Sequence, residues 1–493
     1  MKWIVLKQEL ILPMVALIAM LGGCGAGVDP DRLASLTEEG MDAEARDLLD
    51  QRVDQALSRG EDADLRAAAF GEMQTTEQAL SPTALTEAAL ARNTRIGAAA
   101  EAIALADAER LNAILGYLPQ VSLGYQQDQV TQEVLKSDNE VFERGSAEFP
   151  VNVASVRVTQ PIFDLSRIFA INHARNARTQ AEVEYLATLR SVVYEVLDAY
   201  IVASQARERA QFLRQRANMM DRQIAAQGVL ADTGLNPVSE PSALRSERAS
   251  LASEEALELS RYAEALGALA VLTGTTVRDV APVVIPAGIM GSERSMDVDA
   301  LVARGLQENP TIMASALSVV EADVLRRQAI SSDFSPVLEA YALLEREDRE
   351  GSRFGGGSLT QDQTVGLQLT VPLFNARGAG YDMATSNVRL RRAALDYNAT
   401  RRQLETDIVA THARMASLSE AASQAARAAQ QASVARAAEQ DRVDTGESSD
   451  FAVAARDLRQ SVARERSAFY NAEYLRAWLR LQYLTGVDLQ GGF

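Results

Sequence analysis

The sequence predicts a mainly α-helical fold with a membrane β part, built from two tandem copies of one unit. One indication is the composition: only 5% of the 493 residues are aromatic and alanine is abundant, which favours long helices over a thick globular core. A second indication is a pair of long runs without proline, 165–230 and 381–443. A third is a set of four segments in which apolar and polar residues alternate, as in the strands of a membrane β-barrel.

The charge balance and the scarcity of cysteine and histidine exclude several classes of function. The 67 acidic and 49 basic residues give a net charge of −18, so we expect no nucleic-acid partner. The single cysteine excludes an intrachain disulfide, and no Cys/His cluster could hold a structural zinc ion. We interpret His173 and His412 as surface or core residues, because neither lies beside an evident nucleophile. The sequence predicts no enzyme, no metal and no phosphate-binding loop.

Residues 1–23 have the pattern of a signal peptide, with two lysines near the start and an apolar run that is too short for a comfortable membrane span. The run ends in Leu-Gly-Gly-Cys24, which resembles a bacterial lipobox. The resemblance implies cleavage before Cys24 and a covalent lipid on its thiol, with no other cofactor. Several acyl chains together anchor a protein stably. A generic signal peptide with a bystander cysteine is the alternative.

Residues 24–82 form an acidic extension with a helical pattern. Its apolar residues could form one face of an amphipathic helix; they are Leu36, Leu48, Leu49, Val53 and Leu57. Such a helix would either pack against the outside of the protein or tether it to the lipid, and the sequence leaves both possibilities open.

The rest of the chain contains the same landmarks twice in the same order. Residues 83–280 form the first repeat and residues 297–487 the second, with a linker at 281–296 and a short tail at 488–493. The paired landmarks are Asn93 and Asn309, Pro119 and Pro336, Val158–Asp164 and Leu369–Asn375, Asp232–Gly234 and Asp444–Gly446, and Leu272–Gly274 and Leu484–Gly486. Five matches about 212 residues apart indicate a duplication.

Each repeat begins with a helical segment, 83–115 or 297–332, which leads into two predicted strands. The strands cover about 119–130 and 152–163 in the first repeat, and about 337–346 and 363–374 in the second. Four prolines mark the strand boundaries: Pro119, Pro161, Pro336 and Pro372. In the last strand one face would be apolar, formed by Val365, Leu367, Leu369, Val371 and Leu373. Alternation alone does not exclude hairpins of a soluble protein.

A long helix and a return helix follow each pair of strands. The return helices are predicted at 242–272 and 450–484, so the two hairpins turn at tips near 232–241 and 444–450. Alanine recurs along these helices and lets helix axes approach closely. We therefore expect the hairpins to form a coiled-coil wall.

These landmarks resemble those of the TolC family of outer-membrane efflux proteins, in its lipoprotein-anchored form. The resemblance covers about 83–487 and implies a homotrimer in which each protomer adds four strands to a twelve-stranded outer-membrane β-barrel, continued by a helical tunnel in the periplasm of a Gram-negative bacterium. It implies passive export with a periplasmic adaptor (a membrane fusion protein) and an inner-membrane transporter of the RND or ABC type. Physical reasoning agrees about assembly, because four strands cannot close a barrel and an open edge in lipid is forbidden.

The resemblance assigns the two tips to adaptor docking. The matching residues are Asp232, Gly234, Leu235, Asp444, Gly446 and Ser448. Ordinary turn chemistry is the alternative, since Asp, Gly and Asn suit turns in any protein. Asp450 is the candidate for a periplasmic gate, although Ala452, Ala454 and Ala455 stand where relatives often carry further acidic residues.

Two other function classes compete with the export duct. A non-conducting periplasmic coiled-coil lipoprotein would serve as a scaffold, but it would not need four alternating segments at equivalent repeat positions. A lipid-anchored enzyme would require a cluster of titratable residues with catalytic geometry, and the sequence indicates no such cluster. The exported substrate is not indicated by the sequence.

Overall fold

The computed structural model describes residues 74–76, 79–133, 146–232, 239–285, 288–351, 356–375 and 377–487, all of which belong to one compact unit, Met73–Phe493. The predicted signal peptide, Cys24, the apolar residues of the extension and the tail 488–493 lie outside the described residues. So do Gly234 and Leu235 of the first tip.

The two repeats share the order of two leading helices, two long strands, a long helix and a return helix, and their remaining short elements differ. The first repeat and the strand that precedes it contain β1 (Gln74–Thr76), α1 (Pro82–Arg92), α2 (Thr94–Leu115), β2 (Gln120–Glu133), β3 (Ser146–Asp164), α3 (Leu165–Asp232), α4 (Ser239–Thr273) and β4 (Thr275–Val277). The second contains a 3₁₀ turn (Ser292–Ser295), α5 (Val298–Glu308), α6 (Pro310–Phe334), β5 (Val337–Arg349), β6 (Ser358–Thr370), a π-helical turn (Gly378–Asp382), α7 (Met383–Asp444) and α8 (Asp450–Thr485).

The four long strands form one antiparallel sheet in the order β2-β3-β5-β6. The duplication extends to the register of this sheet. Gln120 on β2 lies opposite Thr159 on β3, and the residues 217 and 211 positions later, Val337 on β5 and Thr370 on β6, also lie opposite each other. The short strands β1 and β4 pair in parallel elsewhere in the unit.

The leading helix of each repeat is divided, whereas the sequence analysis expected one helix over 83–115 and one over 297–332. Asn93 ends α1, accepts a hydrogen bond from the backbone N–H of Arg95, and donates its side-chain amide to the carbonyl of Leu272 at 2.8 Å. Asn309 repeats this arrangement, with an amide bond to the carbonyl of Leu484 at 3.0 Å. The asparagine caps the next helix and ties it to the end of the return helix, which is why the helix breaks there.

The predicted strand 363–374 extends too far, because β6 ends at Thr370. Val371, Pro372 and Leu373 follow the strand without belonging to it. In the first repeat the equivalent residues remain in β3 because β5 pairs with them as far as Asp164. Residues 371–374 have no strand beside them in the single protomer.

The boundary prolines take three kinds of position, and Pro372, as described above, lies beyond the end of β6. Pro119 and Pro336 immediately precede β2 and β5. Pro161 lies inside β3, where the register with β5 shifts between Pro161 and Phe163. A proline at such an irregularity removes no regular ladder hydrogen bond.

The long helices pack as two hairpins, α3 with α4 and α7 with α8, and α3 also contacts α8. Helix α3 has 68 residues, a length of about 100 Å at 1.5 Å per residue. The main apolar core lies where the hairpins meet, around Leu197, Ile201, Ile408 and Leu475. Residues of the predicted linker contribute to the same core, including Ile289 and Ile285. Within the described part of the chain, no helix combines the length and the apolar character that a membrane crossing requires.

Candidate functional site

One face of the four-stranded sheet is apolar over the part nearest the helices, whereas the other face is mainly polar. Nearest the loops, the first face also carries polar side chains: Gln127, Asn152, Arg346, Asp348, Gln361 and Gln363. Residues directly opposite each other on neighbouring strands point to the same side of a sheet, so the register assigns each side chain to a face. The apolar face contains Val121, Leu123, Tyr125, Ala154, Val156, Val158, Leu338, Ala340, Ala342, Leu344, Val365, Leu367 and Leu369. The other face contains Gln120, Ser122, Gln126, Asp128, Ser155, Arg157, Thr159, Glu339, Glu345, Glu347, Thr360, Asp362, Thr364 and Gln368.

The large side chains of the apolar face are exposed on the two outer strands. The exposed fraction is 70% for Val121 and 85% for Val365. A sheet that offers exposed apolar side chains on one face and hydrogen-bonding side chains on the other suits a wall between lipid and water. Strands β2 and β6 each keep one unpaired edge.

The second hairpin tip is a tight turn around Gly446. Its φ angle is +81°, a conformation that glycine adopts at little cost. The backbone N–H groups of Gly446 and Glu447 donate to the carbonyls of Val443 at 2.9 Å and Arg442 at 2.8 Å. A Cβ atom at Gly446 would meet open space, so the turn presents its backbone at the surface.

The predicted docking residues of this tip lie together but differ in their surroundings. Asp444 is exposed and accepts a hydrogen bond from Gln440 at 3.1 Å. Ser448 is half-buried and its hydroxyl donates to a carboxylate oxygen of Glu439 at 2.5 Å. Asp450, the predicted gate residue, begins α8, and Asp232 ends α3 at the first tip.

Glu439 is a residue of this tip that the sequence analysis did not identify. It is 6% exposed and lies 3.6 Å from the guanidinium of Arg442 and 3.5 Å from that of Arg456. The hydrogen bond from Ser448, together with the attraction of the two arginines, holds the pKa of Glu439 below its usual value. The tip is therefore stabilised by a buried carboxylate that joins both helices of the hairpin to the turn.

The segment between the repeats is held by two carboxylates, which the sequence analysis also missed. The first clasp consists of Asp279 with Arg207 and Tyr262. Both the guanidinium of Arg207 and the hydroxyl of Tyr262 lie 2.6 Å from the same Asp279 oxygen. Arg207 also donates to the carbonyl of Val280 at 2.7 Å.

The second clasp consists of Glu293 with Tyr474 and Ser419. The hydroxyl of Tyr474 donates to Glu293 at 2.6 Å, and Ser419 supplies a further hydrogen bond. Burial acts to raise the pKa of Glu293, but the hydrogen bonds from Tyr474, Ser419 and the backbone N–H of Glu293, together with the attraction of Arg294, outweigh it and hold this pKa below its usual value. Tyr262 and Tyr474 are 212 residues apart, as are Arg207 and Ser419, so the two clasps occupy equivalent positions in the two repeats.

Both histidines serve contacts within the helical part. The Nδ1 atom of His173 contacts the carboxylate of Glu321, and this hydrogen bond raises the pKa of His173. His412 Nε2 lies 3.1 Å from the backbone carbonyl of Glu293. Among the residues that the structure describes, no three His, Cys, Asp or Glu side chains converge as a metal site would require.

The chain is similar to known outer-membrane proteins. No protein-family profile matches it. It is 21% identical over 226 residues to the outer membrane protein TolC of Vibrio cholerae, a match that covers 45% of this chain and 50% of TolC. The chain thus spans about half the length of the curated relative it matches.

Solved structures match over a larger part of the chain. The CmeC outer membrane channel of Campylobacter jejuni superposes with a TM-score of 0.66 at 17% identity, covering 84% of this chain and 86% of CmeC. The outer membrane protein VceC of Vibrio cholerae superposes with a TM-score of 0.65 at 15% identity, covering 83% of this chain and 96% of VceC. The predicted fold class, mainly helical with four long strands, is confirmed. The chain has the fold of TolC-like outer-membrane channels.

Proposed function

We propose that the chain is one protomer of a homotrimeric outer-membrane duct that conducts substrates passively in a tripartite export system, and that it is not an enzyme. The observation that carries this proposal is the sheet with one exposed apolar face, one polar face and two open edges, joined directly to helical hairpins about 100 Å long. Open edges exclude the isolated protomer as a stable membrane wall, since every backbone group in lipid requires a partner. Three copies would supply twelve strands.

The partners follow from the same proposal. A periplasmic adaptor would dock on the hairpin tips at Asp232, Gly234, Leu235, Asp444, Gly446 and Ser448. An inner-membrane transporter of the RND or ABC type would supply the energy, and Asp450 would contribute to a periplasmic gate. A lipid on Cys24 would add an anchor in the outer membrane of a Gram-negative bacterium. Drug efflux and type I secretion both remain compatible with this duct.

Conductance tests the proposal directly. The full-length protein is purified from membranes, examined on gels with and without heating, and added to planar bilayers. We expect a heat-modifiable oligomer and discrete channel openings. A protein that fractionates with the envelope but shows neither behaviour would instead be a non-conducting coiled-coil scaffold.

The lipid anchor is tested by Cys24→Ser. We expect this variant to stay uncleaved or unanchored and to lose incorporation of labelled lipid, while the barrel still inserts. Unchanged fractionation and unchanged labelling would show that Cys24 is a bystander.

Adaptor docking is tested by Gly446→Trp, because a side chain there would project from the tip into open space and strain a backbone with φ +81°. We expect impaired export with the oligomer intact. Gly97→Trp is the matched control, since Gly97 also has open space around its Cβ direction but lies in α2, away from the tip. Normal export by both variants would contradict docking at this tip.

A further inference from the structure

The apolar face of the sheet changes character along each of its four strands. From the helices toward the loops, the apolar run on this face ends at Tyr125, Ala154, Leu344 and Val365. The next residue on the same face of every strand is polar; these residues are Gln127, Asn152, Arg346 and Gln363. The four changes form a continuous line across the sheet, which we call the polarity line.

The polarity line is inclined to the rows of directly opposed residues. Tyr125 and Ala154 share one row, and the residue of that row on β6 is Gln361. On β6 the line instead passes Val365, four residues nearer the helices. Four residues correspond to about 13 Å along a strand, and the three strand intervals from β2 to β6 to about 14 Å. The line therefore makes an angle of about 43° with the rows, within the roughly 35–45° by which barrel strands tilt.

The helix end of the sheet is inclined in the same sense. β2 begins at Gln120, and the row of Gln120 continues through Thr159 to Tyr341. β5 begins at Val337, again four residues nearer the helices. Two levels of one tilted wall shift in this way from strand to strand, so the polarity line has the geometry of a plane parallel to a membrane.

On the helix side of the polarity line, the apolar face is suited to hydrocarbon. The four strands place no charged residue on this part of the face and one polar residue, Gln160. The side-chain amide of Gln160 donates to the carbonyl of Tyr117 at 2.7 Å. A polar group that has its partner within the protein is tolerated against acyl chains.

On the loop side of the polarity line, both faces of the sheet are mainly polar. The apolar face there carries five amide side chains, those of Gln127, Gln129, Asn152, Gln361 and Gln363, with Pro150 and Leu359 as its exceptions. The opposite face carries Gln126, Asp128, Glu347, Thr360 and Asp362. Acyl chains would leave these groups without hydrogen-bond partners. The sheet is therefore suited to leave the hydrocarbon layer at the polarity line.

The residues just beyond the polarity line match the chemistry of lipid headgroups. An amide side chain both donates and accepts hydrogen bonds. Arg346 is exposed, and no other residue in the described part of the chain pairs with its guanidinium; arginine binds phosphate oxygens strongly. Two successive polar positions span about 5 Å of depth on a strand tilted by about 43°, which fits within a headgroup layer about 5–8 Å thick.

We propose that the hydrocarbon layer ends along the polarity line, on the side away from the helical hairpins, and that the polar side chains just beyond the line bind the phosphate groups of the lipid headgroup layer. The binding residues are Gln127, Asn152, Arg346, Gln361 and Gln363. This proposal rests on the outer-membrane duct proposed above and adds the depth at which its sheet is held and the groups that hold it there.

Fluorescence quenching by spin-labelled lipids tests this depth. Full-length variants with one introduced cysteine are labelled with an environment-sensitive fluorophore and inserted into phosphatidylcholine vesicles that carry a nitroxide either on the headgroup or in the acyl chain. Tyr125→Cys and Gln361→Cys are compared because the two positions share a row. We expect the acyl-chain nitroxide to quench the probe at 125 more strongly and the headgroup nitroxide to quench the probe at 361 more strongly. The wild-type protein, treated identically, gives the contribution of Cys24.

The matched control is Thr360→Cys, which lies beside Gln361 on the opposite face. We expect both nitroxides to quench its probe far less than the probe at 361, since the opposite face would line the duct. Stronger quenching by the acyl-chain nitroxide at both 125 and 361 would overturn the inclined line. A probe at 361 that neither nitroxide quenches would overturn the binding of headgroups.

Conductance of the same vesicles separates this proposal from the duct itself. Channels together with the wrong depth at 125 or 361 would contradict the polarity line alone. A protein without channels, whose three probes escape both nitroxides, would contradict the duct as well.

Discussion

The first clasp and the second clasp hold the segment between the repeats through side chains at equivalent repeat positions, but their electrostatic environments differ. In the first clasp the side chains of Arg207 and Asp279 are 35% and 37% exposed. In the second clasp the Glu293 side chain is 2% exposed and Tyr474 is fully buried. The tyrosine is common to both clasps, whereas an arginine in the first is replaced by Ser419 in the second.

The difference follows from the cost of burying charge. A carboxylate at the surface tolerates an arginine partner and remains in contact with water. Such an ion pair therefore contributes little to the free energy of unfolding, and little stability is lost when it is removed. A buried carboxylate requires hydrogen bonds from its surroundings. Tyr474 and Ser419 provide these bonds at Glu293 without burying a second charge. The duplication thus placed a tyrosine and a second polar side chain at equivalent positions in the two clasps, and the chemistry of the second position differs with depth.

The largest effect is expected for Tyr474→Phe. This change removes a hydroxyl from a fully buried site and leaves Glu293 with one donor fewer, which should lower the free energy of unfolding by about 1–3 kcal/mol. Chemical unfolding of the solubilised protein, followed by its helical circular dichroism, measures the loss. Tyr262→Phe is the matched control at the first clasp. We expect a smaller loss of about 0.5–1.5 kcal/mol there, because Arg207 and water still solvate Asp279. An equal or larger loss at Tyr262 would contradict the role of depth.

The second effect is a pH dependence of stability that arises from Glu293. Because its pKa is lower in the folded protein than its usual value of 4.5, its ionised form stabilises the fold. This contribution is complete above pH 4.5 and is lost as the pH falls through the lower folded value. Thermal unfolding of the wild-type protein and of Glu293→Gln over a pH series isolates it. We expect the difference between the two proteins to shrink at low pH. A difference that stays constant would show that Glu293 is not ionised in the folded protein.

The smallest effect is expected at the first clasp, for Arg207→Ala. A partly exposed ion pair contributes about 0.2–1 kcal/mol, and this contribution should decrease as salt is added. Unfolding at low and high ionic strength measures the change. Ser419→Ala, the equivalent change in the second clasp, removes a neutral donor and should show no comparable dependence on salt. A larger salt response from Ser419→Ala than from Arg207→Ala would contradict the difference between the two clasps, because the neutral hydrogen bond would then depend on salt more than the ion pair.

The sequence predicted the long helices and long strands well, but it predicted the buried polar contacts poorly. Proline-free runs, alternating segments and paired glycines identified the helical hairpins and all four long strands. The division of the leading helices was missed, although Asn93 and Asn309 were recognised as landmarks, because an asparagine within a helical pattern does not reveal the distant carbonyl that it binds. Asp279, Glu293 and Glu439 were missed for the same reason. In a chain with 67 acidic residues, only the folded structure distinguishes a buried carboxylate from a solvated one.

The sequence by itself determined the duplication, the approximate positions of the long helices and long strands, and the fold class, because local periodicity and repeated glycines and prolines act within a few residues of the chain. The tertiary structure decided the strand register, the depth of each clasp and the point at which β6 ends. These features depend on which distant segments lie side by side. β6 shows the limit most clearly: its sequence predicts a strand as far as 374, but no strand lies beside residues 371–374 in the protomer, and β6 ends at Thr370.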